Sequence, residues 1–263
     1  MRSPATPRGN EDAGGLSTVD SVAGLAISTK LRLVLGDRVS RQIPFADIPV
    51  EAILKAGPVR NFSSHRRQKN LSGRYWCSTV MAHVVYESLF ELVRLQLADF
   101  DPSVWHICAQ PFEISGRVGG RPVRHVPDFF LARTDRSYVV VNVTRAKQLD
   151  DPRVQERLQW AGLMFLLRGW QHEVWSGAPL VKTENIRFLA GFRRDYLFEG
   201  GPLTNDEVRR LHGMTIGEAA LALDPYRPGS LCRPLLFNAL WKGTLTADLD
   251  RPLGSDTGVE AVK

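Results

Sequence analysis

Two acidic residues and one amide residue occupy positions that could form a site for a divalent cation. Glu91 lies in a segment with helical periodicity, Asp128 follows a proline in HVPDFF, and Asn142 lies in the apolar run VVVNVT. Carboxylate oxygens are the ligands that Mg²⁺ and Mn²⁺ prefer, and an amide oxygen can also bind them. A cation held in this way activates water for hydrolysis of a phosphodiester. The residues therefore favour metal-assisted phosphodiester hydrolysis.

A site of this kind also needs a positive charge, usually from a lysine two residues after the metal-binding residue of the strand. Here that position holds Thr144. Alternate residues of a strand point to one face, so Asn142 and Thr144 share a face, while the Val143 carbonyl could help to hold the cation. Lys147 or Arg145 could reach back from the end of the strand, although a shift of one residue turns Arg145 to the opposite face. Loss of an electrostatic stabiliser commonly costs about 10²–10³-fold in rate. Two alternatives follow. Either the site works with a lysine or arginine from another position in place of the usual lysine, or it is inactive.

Residues 83–98 are predicted to form the helix that carries Glu91. Apolar side chains recur at i, i+4, i+7 and i+11, which indicates one apolar face. His83, Glu87 and Glu91 would form a second stripe on this helix. Like charges at i, i+4 repel weakly, so either Arg94 pairs with Glu91 or a cation lies beside the stripe.

The segments that follow predict a mixed α/β unit. Three of them have the composition of strands, namely residues 106–114, 118–133 and 137–144. The third is a continuous apolar run, which is typical of a central strand. Asp151 and Pro152 suit the N-cap and first turn of a helix that ends at Gly169, and residues 172–177 indicate a further strand. The predicted order is helix, antiparallel strands, helix, strand.

Composition divides the chain into four predicted parts. These are a disordered N-terminus at 1–24, an N-terminal extension at 25–57, the α/β domain at 58–199 and a C-terminal module at 200–263. The extension could contain a hairpin around Gly36. The C-terminal module combines three short helices, with Thr204 and Thr215 as N-caps, and a strand pair. This combination indicates a winged-helix-like fold.

A basic segment between residues 52 and 86 is a candidate for binding DNA. The chain has a net charge of +6, which favours a polyanionic partner, and this segment contains no acidic residue. Several cations on one loop gain from the release of counterions when they contact phosphates. The alternative is a solvated loop without a ligand. The predicted DNA-binding residues are Arg60, Arg66, Arg67, Lys69 and Arg74.

Cysteine usage and hydropathy exclude several other classes of protein. Three cysteines lie far apart without a C-x-x-C spacing, which argues against a zinc knuckle or a disulfide framework. The sequence contains no apolar run of about 18 residues, so no membrane span is expected. The polar N-terminus lacks the apolar region of a secretory signal. We therefore expect a cytoplasmic protein with reduced thiols.

Three stretches of the sequence resemble a known family. YESLFELVRLQLADFDPSVWHICAQPF, HVPDFF and VVVNVTRAKQLDDPRV are similar to the TnsA endonuclease subunit of heteromeric Tn7-like transposases, in particular to the actinomycete type. The resemblance covers residues 58–195 and extends to the tail LLFNALWKGTLTADLDRPL. It implies a restriction-endonuclease-like PD-(D/E)XK core, with the winged-helix-like module after it, that nicks the 5′ ends of a transposon.

The resemblance also implies roles for individual residues. Glu91 matches the helix glutamate, and Asp128 matches the metal-binding aspartate. Asn142 falls where the family has Gln, Asp or Glu, so these three residues would hold Mg²⁺ or Mn²⁺. Thr144 stands where the family has its catalytic lysine, which leaves Lys147 as the predicted catalytic substitute.

The implied partners are those of a transposition complex. They are double-stranded DNA at the transposon ends, a DDE-type transposase and an ATP-dependent regulator, in the nucleoid of a bacterial cytoplasm. Gln110 matches a glutamine of the family and either supports the site or caps a turn. Two other hypotheses stay open. The chain could be a catalytically impaired homologue that binds DNA and assembles the complex, or a regulator that reads DNA through its C-terminal module.

Overall fold

A computed structural model of the chain describes residues 24, 28–36, 40–60, 71–118 and 120–262. The segment 1–24 that is predicted to be disordered lies outside these residues, except for Gly24. The predicted DNA-binding residues Arg66, Arg67 and Lys69 also lie outside them. No helix of the described residues combines the length and the apolar character that crossing a bilayer requires.

The described residues form a mixed α/β structure, as the sequence predicts. Its strands are β1 (Lys30–Val34), β2 (Ser40–Pro44), β3 (Gly73–Cys77), β4 (Ala82–Tyr86), β5 (Val104–Ala109), β6 (Glu113–Val118), β7 (Arg121–His125), β8 (Phe129–Arg133), β9 (Tyr138–Val143), β10 (Gln171–Trp175), β11 (Leu245–Thr246) and β12 (Glu260–Ala261). Its helices are α1 (Val50–Leu54), α2 (Leu89–Phe100), α3 (Pro152–Leu167), α4 (Leu180–Leu189), α5 (Asn205–Arg210), α6 (Ile216–Leu223) and α7 (Gly229–Trp241).

A four-stranded sheet in the order β10-β9-β8-β5 lies at the centre of the fold. β8 pairs antiparallel with both β5 and β9, and β10 pairs in parallel with β9 after the crossover through α3. Side chains alternate along β9, so Val141 packs on the side of Leu95 in α2 and Val140 packs on the side of Phe165 in α3. The predicted order of helix, antiparallel strands, helix and strand is therefore confirmed.

Two of the predicted strands are wrong in extent, because each divides into two. The segment 106–114 breaks at Gln110, whose φ of +46° is left-handed, and at the proline after it. The segment 118–133 breaks at Pro127, which has no amide proton to donate to a ladder. The breaks release β6 and β7 from the central sheet into a second antiparallel sheet in the order β2-β1-β6-β7. The predicted hairpin in the N-terminal extension is confirmed as the β1–β2 pair.

The prediction of one helix over 83–98 is wrong at its N-terminal end. Residues up to Tyr86 pair with β3 as strand β4, and α2 begins only after Ser88. The Ser88 hydroxyl accepts a hydrogen bond from the Glu91 amide at 3.1 Å, which is the usual geometry of an N-cap. His83 and Glu87 therefore precede the helix and do not form a stripe with Glu91.

The predicted pairing of Arg94 with Glu91 is also wrong. Arg94 makes two hydrogen bonds to Glu173 of β10, at 3.0 Å and 2.7 Å, and is nearly buried. This bidentate pair ties α2 to the outer strand of the central sheet.

The C-terminal helices and the β11–β12 pair enclose a separate hydrophobic core. Thr204 and Thr215 cap α5 and α6 with complete capping boxes, as predicted. Ile186 and Leu189 of α4 are buried in this core together with Leu236 of α7. The C-terminal core therefore includes a helix from before residue 200.

Candidate functional site

Asp128 is held at the start of β8 by three hydrogen bonds. Its amide donates to the carbonyl of Val141 at 3.0 Å, and its carbonyl accepts from the amide of Gln110 at 2.9 Å. The side-chain Oδ2 accepts from the amide of Val143 at 2.6 Å. The carboxylate thus has a fixed position between two strands of the central sheet.

Burial raises the pKa of Asp128 to about 7, far above the ordinary value for an aspartate. The hydrogen bond from Val143 opposes this increase, whereas the negative charge of Glu91 adds to it. The positive charge of Arg60 lowers the same pKa. The charge of Glu91 therefore acts on Asp128, and a bound cation would favour the charged form of both.

Glu91 lies in the first turn of α2, where its amide donates to the N-cap Ser88 and its carboxylate accepts two further hydrogen bonds. Its Oε1 accepts from the Ser88 hydroxyl at 3.0 Å, and its Oε2 accepts from the Glu87 amide at 2.7 Å. Burial raises its pKa above the ordinary value, against these hydrogen bonds. The pattern Ser88-x-x-Glu91 is a capping signature that could have located the helix start from the sequence.

Asn142 is buried on β9 between two histidines. Its Oδ1 lies 3.1 Å from Nε2 of His125 and 2.9 Å from Nε2 of His172. Burial lowers the pKa of His125 to about 4 and also lowers that of His172, so both rings are neutral at pH 7 and can donate these bonds. The amide oxygen is thus occupied by two donors. Metal ligation by Asn142 stays a prediction that requires at least one of these bonds to open.

Neither predicted substitute for the lysine lines the cleft beside Asp128. Thr144 does line it, and the Thr144 amide donates to the carbonyl of Trp175 at 2.9 Å. Lys147 lies on a 3-10 helix after β9 and is exposed outside this lining. The guanidinium of Arg145 lies 5.7 Å from the centre of the Phe90 ring, on the side of α2.

Three arginines line this cleft, which has a volume of about 260 Å³. They are Arg60, Arg124 and Arg157, from three separate parts of the chain. Arg60 pairs with Glu87 at 2.6 Å. Within the described ranges, no carboxylate lies within 4.0 Å of the other two guanidinium groups. The cleft therefore combines a half-buried acid with cations that are open to an anionic ligand.

Sequence reasoning found only part of this set. Arg60 was predicted to bind DNA, and Arg74 is exposed on β3 outside the cleft lining. No local sequence pattern marks Arg124 or Arg157 as a site residue. They meet at the cleft only because the fold brings β7 and α3 together. The same reason explains why His125 and His172 were missed.

The residues of the cleft fit a divalent cation that retains water or phosphate ligands. Mg²⁺ is usually held by one or two carboxylates together with waters and substrate phosphates. Asp128 lines the cleft, and Glu91, which does not line it, is near enough for its charge to raise the pKa of Asp128. In the described part of the chain, no group of three or more His, Cys, Asp or Glu residues is placed to hold a metal. The buried Oε1 of Gln110 also has no hydrogen-bond donor there. The backbone of Gln110 is hydrogen-bonded to that of Asp128, but Gln110 is not among the residues that line the cleft.

Comparisons with known proteins do not assign the chain to a family. Neither the protein-family models nor the curated proteins include a match. The residues of the cleft and the motifs around them therefore carry the functional interpretation.

Proposed function

We propose that the chain is a TnsA-like endonuclease subunit of a heteromeric transposase, which nicks the 5′ ends of a transposon with Mg²⁺ or Mn²⁺. The observation that carries this proposal is Asp128, a half-buried acid with a pKa of about 7, in a cleft lined by three arginines and within range of the charge of Glu91. Perturbed acids in a polar cleft are typical of active sites. The order of α2, β5, β8, β9, α3 and β10 supports a restriction-endonuclease-like PD-(D/E)XK core.

Each group in the cleft has a role in this proposal. A bound Mg²⁺ or Mn²⁺, held by Asp128 and Glu91, would supply Lewis acidity and an activated water. The arginines would bind the phosphates on either side of the cut. The oxygen of water forms a bond to phosphorus, the bond from phosphorus to the leaving sugar oxygen breaks, and that oxygen takes up a proton. The three hydrogen bonds of Asp128 keep the acid in place during this step.

The second candidate is a catalytically impaired homologue that binds DNA and assembles the transposition complex. It is favoured by the absence of charge at Thr144 and by the two histidines that occupy the Asn142 oxygen. In both candidates, the partners are the transposon ends, a DDE-type transposase and an ATP-dependent regulator. The winged-helix-like module at 200–263 would add contacts to DNA in both.

A nicking assay distinguishes the two candidates. The purified chain is incubated with transposon-end DNA, its transposase partner and either Mg²⁺ or Mn²⁺, and 5′-end nicks are counted. An active subunit nicks, and Asp128→Ala abolishes the nicks. An impaired homologue does not nick until Thr144→Lys restores the missing charge. Nicking that survives Asp128→Ala would show that the site is misplaced.

A further inference from the structure

A site with a threonine at the lysine position needs another source of positive charge. Neither Lys147 nor Arg145 lines the cleft, whereas three arginines do. These arginines differ in how firmly the fold ties them to the two acids. The contacts of Arg60 distinguish it from Arg124 and Arg157.

The backbone before Arg60 is fixed to the same hydrogen-bonded ladder as Asp128. The amide of Val59 donates to the carbonyl of Gln110 at 2.9 Å, and the amide of Gln110 donates to the carbonyl of Asp128 at 2.9 Å. Val59, which directly precedes Arg60 in the sequence, is itself buried. The backbone therefore places Arg60 next to the start of β8, where Asp128 lies.

The side chain of Arg60 is linked to Glu91 through Glu87. Its Nη1 pairs with Glu87 at 2.6 Å, and the amide of Glu87 donates to Glu91 at 2.7 Å. Arg60 lines the same cleft as Asp128, and the pair with Glu87 restrains its guanidinium from one side.

One bond to Glu87 leaves donors of Arg60 for a ligand. A guanidinium has five N–H donors, and Nη1 is the one with a side-chain partner among the described residues. A planar set of donors suits the oxygens of a phosphate. Arg124 and Arg157 are exposed, and their position suits flanking phosphates of the DNA backbone.

We propose that Arg60 supplies the positive charge that Thr144 does not, and that it holds the scissile phosphate opposite Asp128 and Glu91. The inference rests on the proposed endonuclease function. It assigns to Arg60 contact with the reacting phosphate, beyond a general contribution to DNA binding.

The test measures nicking and Mn²⁺ binding in the full chain. Arg60→Ala should lower the nicking rate at saturating DNA by about 10²–10³-fold, as removal of one stabilising group does in such sites. Because a like charge is removed, the same variant should bind Mn²⁺ about threefold more tightly or better in calorimetry. A merely structural role for Arg60 would instead weaken Mn²⁺ binding. Arg187→Ala, at an exposed arginine of α4, is the matched control and should change neither value.

A charge-restoring variant keeps the result interpretable. Thr144 lines the same cleft, so Thr144→Lys combined with Arg60→Ala should recover most of the lost nicking. The inference is overturned if Arg60→Ala nicks within about threefold of the wild type, if its Mn²⁺ affinity falls, or if Lys147→Ala causes the loss instead. It is also overturned if the wild-type chain does not nick. The proposed function fails separately if Asp128→Ala binds Mn²⁺ as the wild type does.

Discussion

At the residue scale, Asp128 has the most unusual environment in the cleft. Burial and the charge of Glu91 raise its pKa to about 7, even though the Val143 amide stabilises the charged form. Between about pH 4 and pH 7, Asp128 therefore carries a proton in the folded chain but has lost it in the unfolded chain. It follows that the free energy of unfolding falls as pH rises through this window.

Substitution of Asp128 should reduce this dependence on pH. Asp128→Asn cannot ionise, so we expect it to be more stable than the wild type at pH 8, by about 2–4 kcal/mol, and to gain much less at pH 5. Urea denaturation at the two pH values measures the difference. Asp150→Asn, at an exposed carboxylate, is the control. Equal gains at both pH values would contradict the assigned pKa.

The Asn142 amide provides a second prediction at this scale. Asn142→Ala leaves the buried His125 and the half-buried His172 without their acceptor, and an unpaired buried polar group costs about 1–3 kcal/mol. We expect a loss of about 2–4 kcal/mol in the free energy of unfolding, since two groups are affected. Gln171→Ala, at an exposed amide of β10, should change stability by less than about 0.5 kcal/mol. A loss for Asn142→Ala as small as that would contradict the two hydrogen bonds.

At the element scale, α2 combines a structural and a proposed chemical role in one residue. Glu91 forms hydrogen bonds with the N-cap Ser88 through its amide and its carboxylate, and its charge also raises the pKa of Asp128. The bidentate pair between Arg94 and Glu173 fixes the other side of the helix to the central sheet. The start of α2 is therefore held firmly enough to position an acid.

Removal of the cap should affect both roles. Ser88→Ala should cost about 1 kcal/mol of stability, as the loss of a helix cap does, and it should weaken Mn²⁺ binding because Glu91 loses a restraint. Thr215→Ala removes the equivalent cap of α6, outside the cleft lining. It should cost similar stability and leave Mn²⁺ binding unchanged. If both variants bind Mn²⁺ like the wild type, Glu91 is a cap and not a metal ligand.

At the scale of the whole molecule, the N-terminal strands contribute to the fold around the cleft. β1 pairs with β6, and β6 pairs with β7, whose last residues Arg124 and His125 line the cleft. Leu31 of β1 is fully buried in the core on the side of α3. The N-terminal strands therefore act as part of the framework that holds these residues.

A substitution in β1 tests this connection. Leu31→Ala should cost about 2–5 kcal/mol, the usual range for a buried leucine. Leu221→Ala, at a leucine that is 76% exposed, should change stability by less than about 0.5 kcal/mol. Chemical denaturation followed by circular dichroism gives both values. A neutral effect of Leu31→Ala would mean that β1 is not part of the core.

The sequence predicted those features that depend on local patterns. The apolar run of β9, the helix start at Asp151 and the caps at Thr204 and Thr215 each have a short-range signal, and each is present in the structure. The histidine pair around Asn142 could not be predicted, because His125 is 17 residues away from it and His172 is 30 residues away in sequence.

The break at Gln110 was missed for a different physical reason. A left-handed φ of +46° at a residue other than glycine is set by tertiary contacts and not by local preference. Asp128 and Glu91 lie close enough for the charge of Glu91 to raise the pKa of Asp128, whereas the arginines of the cleft depended on which sheet edges meet. The role of the two acids in a metal site stays a prediction.

The most direct measurement is a titration of the purified chain with Mn²⁺ at pH 8, followed by electron paramagnetic resonance of free Mn²⁺. Asp128 is ionised at this pH, so the wild type should bind one Mn²⁺ in the cleft. Asp128→Ala should weaken this binding by about tenfold or more, since a carboxylate ligand is lost. Equal binding by the wild type and Asp128→Ala would contradict the account.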